Sequence, residues 1–85
     1  MEQHVGRAEI LEFIQRLSHA LIDIQDHLSV SFEIGEQTTV FKISVHKDDI
    51  GKVLGKRGRN IEAIRVMVNA LSTKHQLRAV VLVEE

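Results

Sequence analysis

The sequence predicts a small α+β domain whose elements follow the order helix, strand, strand, helix, helix, strand. Apolar residues recur at three- and four-residue intervals in two long segments, which is typical of amphipathic helices. In two segments between them apolar and polar residues alternate, which is typical of strands with one buried face. With 85 residues, 44% of them hydrophobic, the chain is long enough to form one small core.

The first predicted helix covers residues 8–25. Its apolar stripe consists of Ile10, Phe13, Ile14, Leu17, Leu21 and Ile24. Residues 1–7 show no periodicity, and we predict that they fray and that a single domain comprises residues 8–85. His19, Asp23 and His27 follow one another at four-residue intervals, a spacing that could hold a metal ion. We favour a solvent-exposed helix face and no metal, because the sequence suggests no further ligand nearby.

Two strands follow, and their period is two. The apolar residues of the first are Leu28, Val30, Phe32 and Ile34, and the inward residues of the second are Thr39, Phe41, Ile43 and Val45. The short connection Gly35-Glu36-Gln37 predicts an antiparallel hairpin. Because the alternation leaves one face polar, the helices are expected to cover the other face only.

The last three predicted elements are two helices and a strand. A short helix over residues 49–54 has Asp48 as its expected N-cap. A longer helix from Arg59 to about Lys74 has an apolar stripe formed by Ile61, Ile64, Val68 and Leu71, with Met67 beside it in the core. A strand over residues 77–83 returns through this helical crossover, so it should run parallel to the second strand. The prediction is a three-stranded mixed sheet with three helices on one face.

The two predicted helices are joined by a loop with a glycine at each end. Gly55 favours the end of the first helix, and Gly58 allows the chain to turn into the next. Between them only Lys56 and Arg57 protrude, and both are cationic. Free backbone N–H groups beside a helix N-terminus also favour anions. Such a loop is suited to holding a sugar-phosphate backbone.

The net charge of −1 conceals an uneven distribution. Residues 1–46 carry three cations and seven carboxylates, whereas residues 47–85 carry eight cations and five carboxylates. The cations therefore concentrate around the glycine loop, as a local nucleic-acid footprint does.

Several other functions lack support in the sequence. Without cysteine there is no disulfide framework, thiolate zinc site or cysteine nucleophile. No apolar run suggests a signal peptide or a membrane span, so we expect a cytoplasmic protein. The phosphate-binding motifs of nucleotide enzymes are missing, and no histidine lies in a recognisable nucleophile setting, so we predict no catalysis and no cofactor. The loop is too rich in glycine for a helix-turn-helix DNA-binding motif.

Residues 53–61 resemble a known signature. Val53-Leu54-Gly55-Lys56-Arg57-Gly58-Arg59-Asn60-Ile61 is similar to the K-homology (KH) motif, which has an apolar pair, Gly-x-x-Gly and an apolar residue three positions on. The element order resembles the type II KH fold. The length, the preceding run from Asp49 and the following Ala63-Ile64-Arg65 resemble the small bacterial single-domain KH proteins of the KhpA type. One departure is Arg57, where these proteins often carry Gln.

The resemblance implies a ligand, a role and partners. The ligand would be single-stranded RNA, about four nucleotides in a narrow groove with the loop clamping the backbone. The role would be that of a small RNA chaperone or post-transcriptional regulator. The partner would be a second KH protein or another copy of the chain. An alternative is a protein-interaction or dimerisation module with the KH fold and little RNA binding, against which the intact Lys56-Arg57 pair argues.

The predicted RNA-binding residues surround the loop. They are Gly51, Lys52, Val53, Gly55, Lys56, Arg57, Gly58, Arg59, Asn60, Ile61 and Arg65. Lys56 and Arg57 would face phosphate. Gly51, Val53 and Ile61 would form the groove floor, although core packing is an equally good interpretation of the two apolar side chains. Leu54, by contrast, is expected to lie wholly in the core.

Overall fold

A computed structural model describes residues 2–85 and the side chains from Val5 onward. Over this range the elements are α1 (Glu2–Leu21), β1 (Ser29–Ile34), β2 (Thr39–Ser44), α2 (Ile50–Leu54), α3 (Arg59–Lys74) and β3 (Ala79–Glu84). Short 3₁₀ turns occur at Gln25–His27, Lys47–Asp49 and Lys56–Gly58. The predicted order and the α+β class are confirmed.

The three strands form one mixed sheet in the order β1-β2-β3. β1 and β2 are antiparallel, with partners from Ser29↔Ser44 to Ile34↔Thr39. β2 and β3 are parallel, with partners from Thr39↔Ala79 to Ser44↔Glu84. Thr39, Phe41 and Ile43 of β2 are buried on the face that the helices cover. β2 lies between the other two strands, so β3 has a free edge.

The core lies between the sheet and the three helices. The three helices, β2 and β3 contribute buried side chains, whereas β1 contributes half-buried ones. The largest buried side chains are Phe41, Ile43, Val45, Ile10, Ile14, Val53, Ile64 and Val68. The α3 residues Ile61, Ile64 and Val68 recur at intervals of three and four, so one stripe of this helix faces the sheet. This packing fixes the direction of α3 and therefore the position of the loop that precedes it.

The first helix begins earlier and ends earlier than the sequence predicts. Residues 2–7 are helical in the structure, where the sequence predicts fraying, while Met1 lies outside the described residues. Gly6 is buried against the ring of His75, and Arg7 Nε donates a hydrogen bond to Thr39 Oγ1 at 2.9 Å. These tertiary contacts hold a segment whose own sequence shows no helical period.

Several packing predictions are wrong in detail. Leu54 is only half-buried, whereas its neighbour Val53 is completely buried. Ile34 is 61% exposed because it ends a strand that has a neighbour on one side only. Met67 is 49% exposed on the outer side of α3, next to the exposed Val66. Asp48 does not cap α2, because a 3₁₀ turn intervenes and His46 accepts the Asp48 N–H.

Candidate nucleic-acid interface

The loop between α2 and α3 is built by two glycines with positive φ. Gly55 ends α2 with φ 76° and ψ 167°, and its N–H donates to the carbonyl of Gly51 at 2.8 Å. Gly58 has φ 74° and ψ 17° immediately before α3, and its N–H donates to the carbonyl of Gly55 at 3.0 Å. The two helices are therefore joined by a tight turn with Lys56 and Arg57 at its centre.

Asn60 fastens this turn from inside α3. Its side-chain Nδ2 donates to the carbonyl of Lys52, in the last turn of α2, at 2.8 Å. A Cβ atom on Gly55 would lie 2.5 Å from Asn60 Cγ and 2.7 Å from its backbone nitrogen. Close packing and backbone conformation thus both require glycine at position 55. Asn60 itself has a positioning role in this arrangement.

Lys56 and Arg57 are exposed at the tip of the loop. Neither forms an ion pair with any carboxylate among the side chains of residues 5–85. Arg57 has φ 59° and ψ 26°, a left-handed conformation that costs a non-glycine residue about 1–2 kcal/mol. The loop therefore presents two uncompensated cations on a strained backbone.

Lys52, one of the predicted RNA-binding residues, is engaged elsewhere. Its ammonium lies 3.0 Å from Asp49 Oδ1 and 3.3 Å from Asp23 Oδ2. The hydrogen bond to Asp49 is the main cause that raises the pKa of Lys52, with Asp23 adding to it. These two carboxylates therefore neutralise much of the positive charge that Lys52 could present to a ligand.

Asp49 is a structural residue that is absent from the set predicted from the sequence. It is completely buried and accepts hydrogen bonds from the N–H of Ile24 at 2.8 Å and of Asp23 at 3.3 Å. The Ile24 N–H, followed by Lys52 and the Asp23 N–H, holds the pKa of Asp49 below its usual value despite its burial. Asp49 thereby ties the end of α1 to the start of α2. The only signal in the sequence is the Asp49–Lys52 spacing of three.

The predicted floor residues divide into surface and core. A Cβ atom on Gly51 would meet no atom within 4 Å, so the backbone of α2 is open to close approach there. Val53 is completely buried and Ile61 nearly so. The structure thus brings Gly51, Lys56, Arg57 and Arg59 to the surface around the loop and places the two apolar residues beneath it.

A groove of about 430 Å³ runs between α3 and the free edge of β3. It is lined by Arg65, Val68, Asn69 and residues 79–82. Arg65 Nη2 donates to the carbonyl of Val81 at 3.1 Å, so its guanidinium lies across the groove. The carbonyls of Arg78 and Glu84 accept bonds from Thr39 and Val45. Because peptide groups alternate in direction along a strand, those of residues 79, 81 and 83 face the groove.

The lysines and arginines that form ion pairs and those that do not occupy different parts of the fold. Four of the eleven lysines and arginines form ion pairs with carboxylates, among the side chains of residues 5–85: Arg16, Lys42, Lys52 and Lys74. Of the seven that do not, five lie on the loop, along α3 or beyond its C-terminal end: Lys56, Arg57, Arg59, Arg65 and Arg78. The other two are Lys47 and Arg7, and Arg7 belongs to α1 and lines a cleft together with Arg78. The cations that form no ion pair therefore concentrate between the loop and the C-terminal end of α3, and Arg65 among them lines the groove.

The histidines and the aspartate with four-residue spacing do not form a common surface. His19 lies in α1, but Asp23 and His27 lie beyond its end at Leu21, so the four-residue spacing does not put them on one helix face. Among the described side chains no three His, Asp or Glu residues converge as metal ligands. No helix within residues 2–85 has both the length and the apolar character of a membrane span.

Comparison with known proteins identifies similar chains. The family described as KhpA/KhpB, KH domain, matches residues 11–83. An RNA-binding protein KhpA from Clostridium acetobutylicum is 36% identical over 70 residues, which cover 82% of this chain and 93% of the relative. Its namesake from Borreliella burgdorferi is 32% identical over 78 residues, 92% of each chain. That from Halalkalibacterium halodurans is 38% identical over 65 residues, 76% of this chain and 86% of the relative.

Proposed function

This chain belongs to the KhpA/KhpB KH-domain family, and we propose that it binds single-stranded RNA through the loop of residues 55–58 and the groove between α3 and β3. The relatives are named RNA-binding proteins. The observation that carries the proposal is the pair of exposed cations between Gly55 and Gly58, which form no ion pair within residues 5–85.

In this mechanism the loop holds the sugar-phosphate backbone and the groove holds the bases. Lys56 acts as a point charge, whereas the planar guanidinium of Arg57 can hold two phosphate oxygens at once. The open backbone at Gly51 lets the strand approach α2 closely. Arg59, one residue after the loop, adds charge at the first turn of α3. About four nucleotides fill such a groove in this class of domain.

The free edge of β3 supplies polar groups for the bases. The N–H and C=O of Val81 point into the groove, where they can pair with the edge of a base. In the free protein Arg65 occupies that carbonyl. A base that pairs with the Val81 carbonyl competes with the guanidinium for it, and a displaced guanidinium can stack on the base or contact phosphate.

The affinity of this site should be modest. The chain has no tyrosine or tryptophan, and Phe13, Phe32 and Phe41 all pack against the core, so none of the three is free to stack on a base. Binding then depends on backbone and polar contacts, and we expect a Kd of about 1 µM, or about −8 kcal/mol. Two or three neutralised phosphates give a log–log salt slope of roughly −1.4 to −2.1 for a single strand.

The experiment that tests the proposal reverses the charge of the loop. Lys56→Asp with Arg57→Asp should leave the circular dichroism nearly unchanged, because both side chains are exposed, and should abolish retention of single-stranded RNA in a filter-binding assay. A control with the same change in net charge is Gln15→Glu, Arg16→Glu and His19→Glu, on the exposed face of α1. If the loop variant binds RNA as well as the control does, the loop is not the binding site.

The cellular role of the protein is part of the same proposal. A small RNA chaperone or post-transcriptional regulator, acting in the cytoplasm and without catalysis, fits a weak and tolerant site. Pairing with a second KH protein, or with another copy, would strengthen binding through multivalency. One observation favours such pairing, since Val66 and Met67 are 59% and 49% exposed side by side on α3. Sedimentation equilibrium of the wild type and of Val66→Glu tests whether this surface joins two copies.

A further inference from the structure

A second cleft lies at the opposite end of α3 from the loop. Its volume is about 420 Å³, and it is formed by Arg7 of α1, the turn between β1 and β2, Thr39 and residues 76–78. α3 has 16 residues, so the cleft and the loop are separated by about 24 Å along the helix. None of its residues belongs to the RNA-binding set that the sequence predicts.

Two arginines in the cleft are anchored to the same buried residue. Arg7 Nε donates to Thr39 Oγ1 at 2.9 Å, which orients its guanidinium. The carbonyl of Arg78 accepts the N–H of Thr39 at 2.8 Å, which fixes the backbone that carries the second guanidinium. Thr39 is only 2% exposed, so it is a rigid support for both.

The cleft holds more positive than negative charge. Glu36 is its carboxylate, and it lies on the exposed turn between β1 and β2. Within residues 5–85 it forms no ion pair with either arginine. Two arginine forks with unused donors are the usual protein partners of a phosphate group.

Gln76 adds a polar side chain at some conformational cost. Its φ of 57° is left-handed, and the Leu77 N–H to Ser72 carbonyl bond at 2.8 Å identifies the helix end as a Schellman motif. Glycine is the residue most often found at this position of the motif. A glutamine that lines the cleft there supplies an amide donor which glycine would lack.

The cleft and the groove are lined by neighbouring segments of the chain. Arg78 lines the cleft and Ala79, the next residue, lines the groove. The uncompensated cations continue from Lys56 through Arg65 to Arg78, so a strand that leaves the groove along β3 reaches the arginine pair. On this basis we propose that the cleft binds a backbone phosphate of the same RNA strand, beyond the nucleotides held in the groove. This inference rests on the proposed function and extends its footprint.

The experiment compares a short and a long strand. Tetrauridylate fills the groove only, whereas dodecauridylate can also reach the cleft, and both are made without terminal phosphates so that only internal phosphodiesters are tested. Arg7→Gln with Arg78→Gln should leave the Kd for the tetramer within about twofold and raise the Kd for the dodecamer about tenfold, the loss of one charge-assisted contact. The dodecamer salt slope should become less steep by about 0.7.

Three controls keep the result interpretable. Arg78→Gln alone, which leaves the Arg7–Thr39 bond intact, should shift the dodecamer in the same direction even if the double variant is less stable. Arg16→Gln removes an exposed arginine of α1 and should change neither Kd. The loop variant Lys56→Asp with Arg57→Asp should lose both strands. Its failure to do so contradicts the proposed function, independently of the cleft.

Two outcomes would overturn the cleft proposal while leaving the loop assignment intact. One is an unchanged dodecamer Kd and salt slope in both cleft variants. The other is an equal loss for tetramer and dodecamer, since the substitutions would then act on the groove itself.

Discussion

At both ends of α3 the chain turns through residues with positive φ, but the two turns use different residues. At its N-terminal end the chain turns through Gly55, Arg57 and Gly58, and at its C-terminal end it turns through Gln76, all with positive φ. Arginines lie at both turns. The N-terminal turn is packed against Asn60, so it cannot accept a Cβ atom at position 55. The C-terminal turn tolerates glutamine, which shows that left-handed backbone alone does not demand glycine.

The supports of the two ends also differ. The loop is fastened locally, by the Asn60 bond to the carbonyl of Lys52, eight residues away. The C-terminal turn is fastened by α1, through His75 packed on Gly6 and hydrogen-bonded to Glu9 at 3.3 Å. A change in the first turns of α1 should therefore affect the cleft and spare the loop.

The largest expected effect on the free energy of unfolding comes from substituting Gly55, and it should exceed the effect of substituting Gly58. Gly55→Ala should lower the free energy of unfolding by about 3 kcal/mol or more, because the backbone conformation is essentially restricted to glycine and the methyl group collides with Asn60. Gly58→Ala should cost about 1 kcal/mol, because the added Cβ meets nothing closer than 3.9 Å and only the left-handed conformation is unfavourable. Urea unfolding of both variants measures the difference, and equal losses would contradict the packing explanation.

A second prediction concerns Asp49, the buried carboxylate near the loop. Asp49→Asn should lower Tm at neutral pH by roughly 5–10 °C, because the charge-assisted bonds to Ile24, Asp23 and Lys52 weaken. The control is Glu9→Gln at the other end of α3, where the carboxylate is partly exposed and the loss should be smaller. Thermal melts followed by circular dichroism compare the two.

The pH dependence of stability follows from the same carboxylate. The pKa of Asp49 is lowered in the folded state, so its stabilisation is complete above the unfolded pKa of about 3.9. It is lost as the pH falls below that value towards the lower folded pKa. The Tm of the wild type should therefore fall more steeply below about pH 4 than that of Asp49→Asn. Parallel curves for the two proteins would show that the partners of Asp49 do not lower its pKa in the folded state.

The local features of this chain could be predicted from its sequence. Helical and strand periods are properties of neighbouring residues, so the order of elements, the mixed sheet and the glycine loop all follow from them. The loop needed no partner to be recognised, because two glycines around two cations are contiguous in the chain.

Contacts between distant residues could not be predicted. Asp49 acts through Ile24, 25 residues away, and Arg7 through Thr39, 32 residues away. The position of Lys52 close to the loop predicted a contact with RNA, but its charge is directed to Asp49 and Asp23. Whether Val53 or Leu54 is buried in the core depends on the rotation of α2 about its own axis. Five residues are too few for the apolar periodicity to determine that rotation.

A third prediction tests the local fastening of the loop. Asn60→Ala should lower the free energy of unfolding by about 1 kcal/mol, the usual contribution of one hydrogen bond. It removes no charge, so any weakening of RNA binding reports the position of Lys56 and Arg57 and not their number. Thr73→Ala, exposed in the last turn of α3 and outside both the groove and the cleft, is the matched control for helix propensity. Fluorescence anisotropy with tetrauridylate should show a severalfold higher Kd for Asn60→Ala alone.

The smallest expected effect on stability compares Arg57 with Gln76, two non-glycine residues that have positive φ. Arg57→Gly and Gln76→Gly each relieve a left-handed conformation worth about 1–2 kcal/mol, while glycine adds about 0.4–1 kcal/mol of unfolded-state freedom. Each should therefore raise stability by about 0.5 kcal/mol, or Tm by a few degrees. Arg59→Gly, at a helical φ of −64°, gains no such relief and should lose about 1 kcal/mol.

Binding then distinguishes the two stabilised variants. Arg57→Gly should weaken tetrauridylate and dodecauridylate together, because both strands cross the loop, whereas Gln76→Gly should weaken only the longer strand. A substitution that increases stability and reduces binding indicates that the native side chain is retained for its ligand and not for the fold. If Gln76→Gly stabilises the protein and leaves both strands unaffected, the strain at the C-terminal end has no function in binding, and the likeness between the two ends of α3 is limited to their backbone.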